Sequence, residues 1–314
     1  MSNMTTWEQA VRADFAVPAD THLTEAAAEL TVLLGSPDQH ARDEVAYELL
    51  STWVARGTFD ELLVGLGDGM CAGLRQGLGE SDTDSVFRRS FSALVLASVV
   101  ERDTAIRVLH PSHVLRWADA SLHWFVAERD LRGHAGAKGW VHAVAHGADL
   151  VAALGMSRHL GSDELGVLLD AVADRLSRSS SHHLTHAEDD RLAYATMAIL
   201  HRDLLDVAAL EAWVARLVTP LRLDLAGPHA AAHVNTQRYL RALHLMLRFG
   251  VAGGMPWHRD AASYFALDPV GRIELLRAVE GALRGYHPGL YRAPLPPDHE
   301  PPTGPPAAPR DGRG

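Results

Sequence analysis

Apolar residues recur at i, i+3, i+4 and i+7 through nearly all of residues 5 to 285, and no sustained alternating segment interrupts them. That period predicts helices over about 22–34, 38–56, 59–78, 83–101, 111–129, 138–155, 162–178, 187–201, 206–218, 229–249 and 269–284. Punctuation supports the boundaries. Ser36-Pro37-Asp38 puts a proline in the first turn of one helix, and Gly57 closes it. Asp82 or Asp84 opens another, and Ser162-Asp163-Glu164 starts a third. Gly133 stands where a residue follows a helix C-terminus. The links are short and rich in Gly, Pro, Ser and Asp, which favours antiparallel neighbours.

Such a series predicts an all-α fold of antiparallel helices, a HEAT- or armadillo-like irregular solenoid or a compact helical-repeat domain. No sequence period repeats, so this expectation rests on helix number and spacing. Residues 1–20 read as a lead-in and 21–285 as one helical domain. Residues 294–314, with PLPPDHEPPTGPPAAPRDGRG, read as a disordered Pro-rich tail lacking the apolar residues to fold.

Composition then narrows the chemistry. The net charge of -10 repels phosphate backbones and Arg is nowhere strongly clustered, so nucleic acid is a disfavoured partner. The apolar runs fall short of the ~20 residues that span a bilayer. The N-terminus lacks a basic segment followed by an apolar one, so a cytoplasmic protein without a membrane partner is expected. Cys71 is the only cysteine, which excludes a disulfide framework, and its Gly-Met-Cys-Ala-Gly setting suits a small buried residue. Of the 29 basic residues, one is a lysine, Lys138. Arg replaces Lys readily on a solvated surface but poorly where a compact ammonium must fit, so Lys138→Arg is expected to be damaging.

Lys138 heads the segment Lys138-Gly-Trp-Val-His142-Ala-Val-Ala-His146-Gly-Ala-Asp149, which follows Asp130-Leu-Arg132-Gly133. On a helix turning about 100° per residue, Lys138, His142, His146 and Asp149 form one axial stripe. Trp140, Val144 and Val151 lie opposite as a core face, and the stripe is flanked by Gly139, Ala143, Ala145, Ala152 and Ala153. Small flanks mark a wall closely approached by another helix or by a ligand.

Three chemistries compete for the stripe. His142, His146 and Asp149 have spacing that permits a divalent metal, although Lys138 opposes one. Lys138, Arg132 and a histidine, oriented by Asp130 or Asp149, would serve an anion or proton-transfer pocket. A satisfied buried network that locks helix packing is the commonest use of such a pair. A second stripe carries Ser85, Arg89 and Ser92, with Asp84 and Arg88 spaced for an i,i+4 ion pair. The segment 181–190, with His182, His183, His186, Glu188, Asp189 and Asp190, reads as a surface loop ending in acids at a helix N-terminus, or as a source of further metal ligands.

These motifs resemble a bacterial protein family catalogued as a domain of unknown function. The resemblance is carried by Arg42-Asp43-Glu44, by Asp84 to Ser92 with Arg88 at a variable place, by Asp130 to Gly133, and by Lys138 to Asp149. It covers roughly residues 20 to 250 and implies a HEAT-like α-helical fold, with no activity attached. Together the residues point to a binding or scaffold protein whose pocket is lined by Asp130, Arg132, Lys138, Trp140, His142, His146, Asp149 and Arg89. Its partner is a small molecule or a protein. The alternative is a metal-assisted hydrolase using His142, His146 and Asp149.

Overall fold

The computed structural model describes residues 3–178, 180–218, 230–253, 258, 260–286 and 289–291; the Pro-rich tail expected at 294–314 lies outside them. Among the described residues the regular structure is helical, with no strand and one isolated antiparallel bridge between His134 and Trp140. Every helix expected from periodicity is present.

Helices alternate between two layers. In the inner layer α5 (Ser85–Ile106), α7 (Ala143–Met156), α9 (Glu188–Leu200) and α11 (Ala230–Phe249) pack side by side in chain order. In the outer layer α4 (Leu63–Leu74), α6 (Pro111–Ala127), α8 (Ser162–Ser177) and α10 (Val207–Val218) do the same. Short antiparallel links make every second helix run the same way. Ser90 of α5 therefore meets His146 of α7, and Asp149 of α7 meets Arg191 of α9. The N-termini of the inner helices consequently gather along one edge.

All residues of α7 are buried, because Ala and Gly on its flanks let α5 and α9 approach from both sides. Trp53, Trp117, Trp124, Phe87 and Phe125 fill the space between elements. At the start of the chain, α2 (Leu23–Leu33) leads into a π-helical stretch, His40–Tyr47, that runs into α3 (Glu48–Arg56). After α11 come the short α12 (Ala261–Tyr264) and α13 (Arg272–Tyr286), which packs on α10 and α11. No helix among the described residues is long and apolar enough to cross a membrane.

Near the start of the chain lies a helix, α1 (Asn3–Arg12), whose Trp7 is buried and stacks edge-on against Trp53. Three expectations are corrected. The helix expected from 138 begins at Ala143, because Gly139 (φ 76°) and His142 (φ 50°) both turn left-handed before it. Asp84 does not pair with Arg88; the Arg88 guanidinium donates to the carbonyls of Thr31 and Gly69 instead. Gly133 does not end a helix, since α6 stops at Ala127.

Candidate functional site

The site grows from the loop 128–142, which joins α6 to α7 at the N-terminal edge of the inner layer. Glu128 anchors it. Its carboxylate takes a forked pair from Arg89 (2.6 and 3.0 Å), the Trp124 indole N–H (2.8 Å) and the backbone N–H groups of Arg129 and Asp130. Arg89 also donates to the Gln76 and Gly77 carbonyls and to Ser85 Oγ, so the whole guanidinium is engaged. Asp130, equally buried, receives the Asp82 backbone N–H and a fork from Arg132 (2.8 and 2.6 Å). Asp130 and Arg132 therefore tie the corner, and Arg89 fastens it to α5 as framework.

Further along, the chain reverses. The Ala135 N–H donates to the Gly139 carbonyl and the Val141 N–H to the Gly133 carbonyl, forming a small hairpin around the His134–Trp140 bridge. Gly139 is left-handed and lies against Gln39, whose side chain occupies the space a Cβ would need. Arg42, fully buried in the π-helical stretch, holds the hairpin from below. It donates to the Lys138 carbonyl (2.8 Å) and the Trp140 carbonyl (3.3 Å), and its guanidinium sits 4.0 Å over the Phe87 ring. Burial lowers its pKa. Arg-Asp-Glu in the first motif thus serves, through Arg42, to position the last motif.

One expected stripe member, Lys138, and one expected core residue, Trp140, are displaced as a result. Lys138 lies in a single turn of 3₁₀-helix, 48% exposed, and pairs with Asp84 at 2.7 and 2.8 Å. A guanidinium could make that pair, so the argument from the lone lysine loses its physical basis. Trp140 is 40% exposed rather than part of the core. Its indole is ringed by imidazoles, stacked on His142 (4.3 Å between centroids) and edge-on to His134 (4.7 Å) and His186 (5.7 Å).

His142 occupies the N-cap of α7 with φ 50° and ψ 30°, an unusual conformation for a residue with a Cβ. Its Nε2 is buried without a hydrogen-bond partner among the described residues. Burial, reinforced by the positive charge of Arg191, lowers its pKa to about 4, so the ring is neutral at neutral pH. His146 is more deeply placed. Ser90 Oγ donates to the Val141 carbonyl (2.5 Å), so it can only accept from His146 Nδ1 at 2.9 Å, which fixes the tautomer of that imidazole. Burial holds its pKa well below the usual histidine range.

Asp149 is buried and receives Arg191 Nη1 at 2.5 Å. The expected metal triad is therefore not assembled. His146 is turned to Ser90, Asp149 to Arg191, and the rings of His142 and His146 stand perpendicular, 5.6 Å apart. Among the described residues no three His, Cys, Asp or Glu side chains are grouped to hold an ion.

The loop 180–187 closes the other side. His186 reaches Trp140 and lies against Gly133, where a Cβ would collide with His186 Nδ1 and lie 2.9 Å from Glu188 Oε1. Gly133 is thus required for close approach. Glu188, at the first position of α9, accepts the His186 backbone N–H through Oε2 (2.7 Å). Its buried Oε1 has no hydrogen-bond partner among the described residues and is 3.9 Å from His186 Nδ1. His182 Nε2 is likewise buried without one, and burial lowers the pKa of that ring. His134, Arg42, Ser90 and Arg191 were outside the expected pocket, whereas Glu188 belongs to the segment 181–190 expected as a surface loop or a source of further ligands. The family motifs contained Arg42 and Ser90, while nothing in sequence spacing linked His134 or Arg191 to His142.

A family model described as a protein of unknown function, DUF2785, matches residues 74–245, which contain nearly all of this corner. No curated protein and no solved structure matches the chain.

Proposed function

This chain belongs to the DUF2785 family, and from the geometry above we propose that it is a binding module built on a HEAT-like helical stack. The two alternating layers support the HEAT-like description, because stacked helix pairs contact mainly their neighbours and leave one edge for recognition. The binding surface is the corner of Trp140, His134, His142 and His186.

One observation carries this reading. His142 combines a strained left-handed backbone with a buried Nε2 that lacks a hydrogen bond, and it stacks on a tryptophan that remains 40% exposed. Strain and an unsatisfied buried polar atom each cost stability and persist where the surrounding fold holds them for use. The adjoining π-helical stretch, a form enriched at functional sites, holds the corner through Arg42. The neutral His142 imidazole stacked on an exposed indole suits a partner that presents a flat apolar group together with a hydrogen-bond donor or acceptor.

A photo-crosslinking amino acid placed at the exposed Ala137 tests the proposal in cells. The expected result is one dominant adduct that disappears in Trp140→Ala and in His142→Gly while both variants remain folded. Adducts that persist unchanged in both folded variants sink the reading.

A further inference from the structure

Beside the Trp140 corner stands a guanidinium that the fold leaves partly unused. Arg191, at the end of the first turn of α9, gives Nη1 to the buried carboxylate of Asp149 at 2.5 Å. Its other N–H groups make no hydrogen bond among the described residues, and its side chain is 22% exposed. Asp149 therefore holds the guanidinium from one side and leaves the rest of its fork to a ligand.

The charge of Arg191 reaches the corner. It disfavours protonation of both His142 and His146, which places it close to the His142 nitrogen that lacks a partner. The carboxylate of Glu188 acts on His182 instead, so the corner has a positive side and a negative one. The start of α7 adds to the positive side. It has no acid in its first turn and no side-chain cap. The backbone N–H groups of the buried Ala143, Val144 and Ala145 meet no acceptor among the described residues. The same turn of α9, by contrast, carries Glu188, Asp189 and Asp190.

A neutral imidazole with its proton on Nε2 donates one hydrogen bond, and His142 Nε2 has that bond to give. One guanidinium fork and one imidazole N–H match a planar, singly charged carboxylate better than a phosphate dianion, which calls for more cations. The half-exposed indole of Trp140, 4.3 Å from the His142 ring between centroids, suits an aromatic body next to that charge.

We propose that the group recognised at this corner is an aryl carboxylate, its carboxylate on Arg191 and His142 Nε2 and its ring against Trp140. This assignment rests on the corner being a binding surface, as proposed above, and adds the charge and shape of what it takes.

Titration calorimetry of the full chain at neutral pH and low ionic strength tests it with naphthoate, naphthamide and naphthylmethylammonium. Naphthoate is expected to bind, naphthamide at least about tenfold more weakly, and the ammonium weakest of the three. Removing Arg191 alone strands the buried Asp149, so the double variant Arg191→Gln/Asp149→Asn replaces the ion pair by a neutral hydrogen-bonded one. In it naphthoate should fall about tenfold, to the affinity of naphthamide, with thermal unfolding showing the fold retained. Arg191→Lys, which keeps the charge and loses the fork, should weaken naphthoate about threefold. No naphthoate binding, or unchanged naphthoate affinity in either variant, overturns the proposal. Equal binding of the three probes overturns the carboxylate assignment and leaves the binding surface standing. Persistence of the Ala137 adducts, by contrast, removes the surface itself.

Discussion

Glu128 and Glu188 are both almost fully buried, and both flank the loop 128–142, yet the fold treats them oppositely. Glu128 is saturated by an arginine fork, an indole and two backbone amides. Glu188 receives one backbone amide on one oxygen and no hydrogen bond on the other. A buried carboxylate is tolerated when charge-assisted donors replace its water, and it is costly when they do not. The first region is therefore framework and the second holds unused hydrogen-bonding capacity, next to the unsatisfied nitrogens of His142 and His182.

Removing one partner from each region should break this symmetry of burial. Arg89→Met strands Glu128 and is expected to lower folding stability by about 3–5 kcal/mol in chemical denaturation. Glu188→Gln, which removes a charge without an arginine partner, should stay within about 1 kcal/mol of wild type. Equal losses in the two variants would erase the distinction.

A smaller effect is expected where the two regions meet. Gly133→Ala forces a methyl against His186 and Glu188 and should cost about 1–3 kcal/mol. Nuclear magnetic resonance should show His186 leaving the Trp140 ring; an unmoved ring would mean that the close approach at Gly133 is unimportant. His142→Gly, by contrast, relieves the left-handed backbone and should gain about 1 kcal/mol while abolishing partner binding. A variant that is less stable and still binds would make His142 framework like Arg89.

The difference also has a pH signature. His142 has a folded pKa of about 4 against an ordinary 6.5, so the unfolded chain binds its proton first. Its contribution is fully present above 6.5 and is lost as pH falls through that window toward 4. Asp43 has the opposite sign. Burial raises its pKa from 3.8 to about 6, so its contribution declines as pH rises through that range. Denaturation curves of wild type and His142→Gly should converge in slope above pH 6.5 and diverge below it; parallel curves at all pH values would refute the shift. The smallest effect is assigned to Lys138→Arg, which keeps a half-exposed pair with Asp84 and should change stability by less than about 1 kcal/mol.

Much of this was legible in the chain. The helices from 22 to 284 follow from apolar periodicity, and the small residues flanking 143–153 correctly marked a helix approached on both sides. The motifs at 42, 84–92, 130–133 and 138–149 do converge in space. What periodicity could not reveal was the break before Ala143. The pattern assigns His142 to a regular helix, whereas Arg42, Gly139 and the Gly133 carbonyl pull it left-handed. That one local reversal moved Lys138 and Trp140 outward and dissolved the four-residue stripe.

By itself, then, the sequence determined the elements and the residue types that collect at the N-terminal edge of the inner helices, because helical period and short links are local properties. Which of those groups are satisfied was decided only by tertiary structure. Arg89 meets Glu128 across 39 positions, Arg191 meets Asp149 across 42, and Arg42 meets the Lys138 carbonyl across 96. A hydrogen bond requires its partners within about 3 Å, and distances of that kind are set by packing rather than by spacing along the chain.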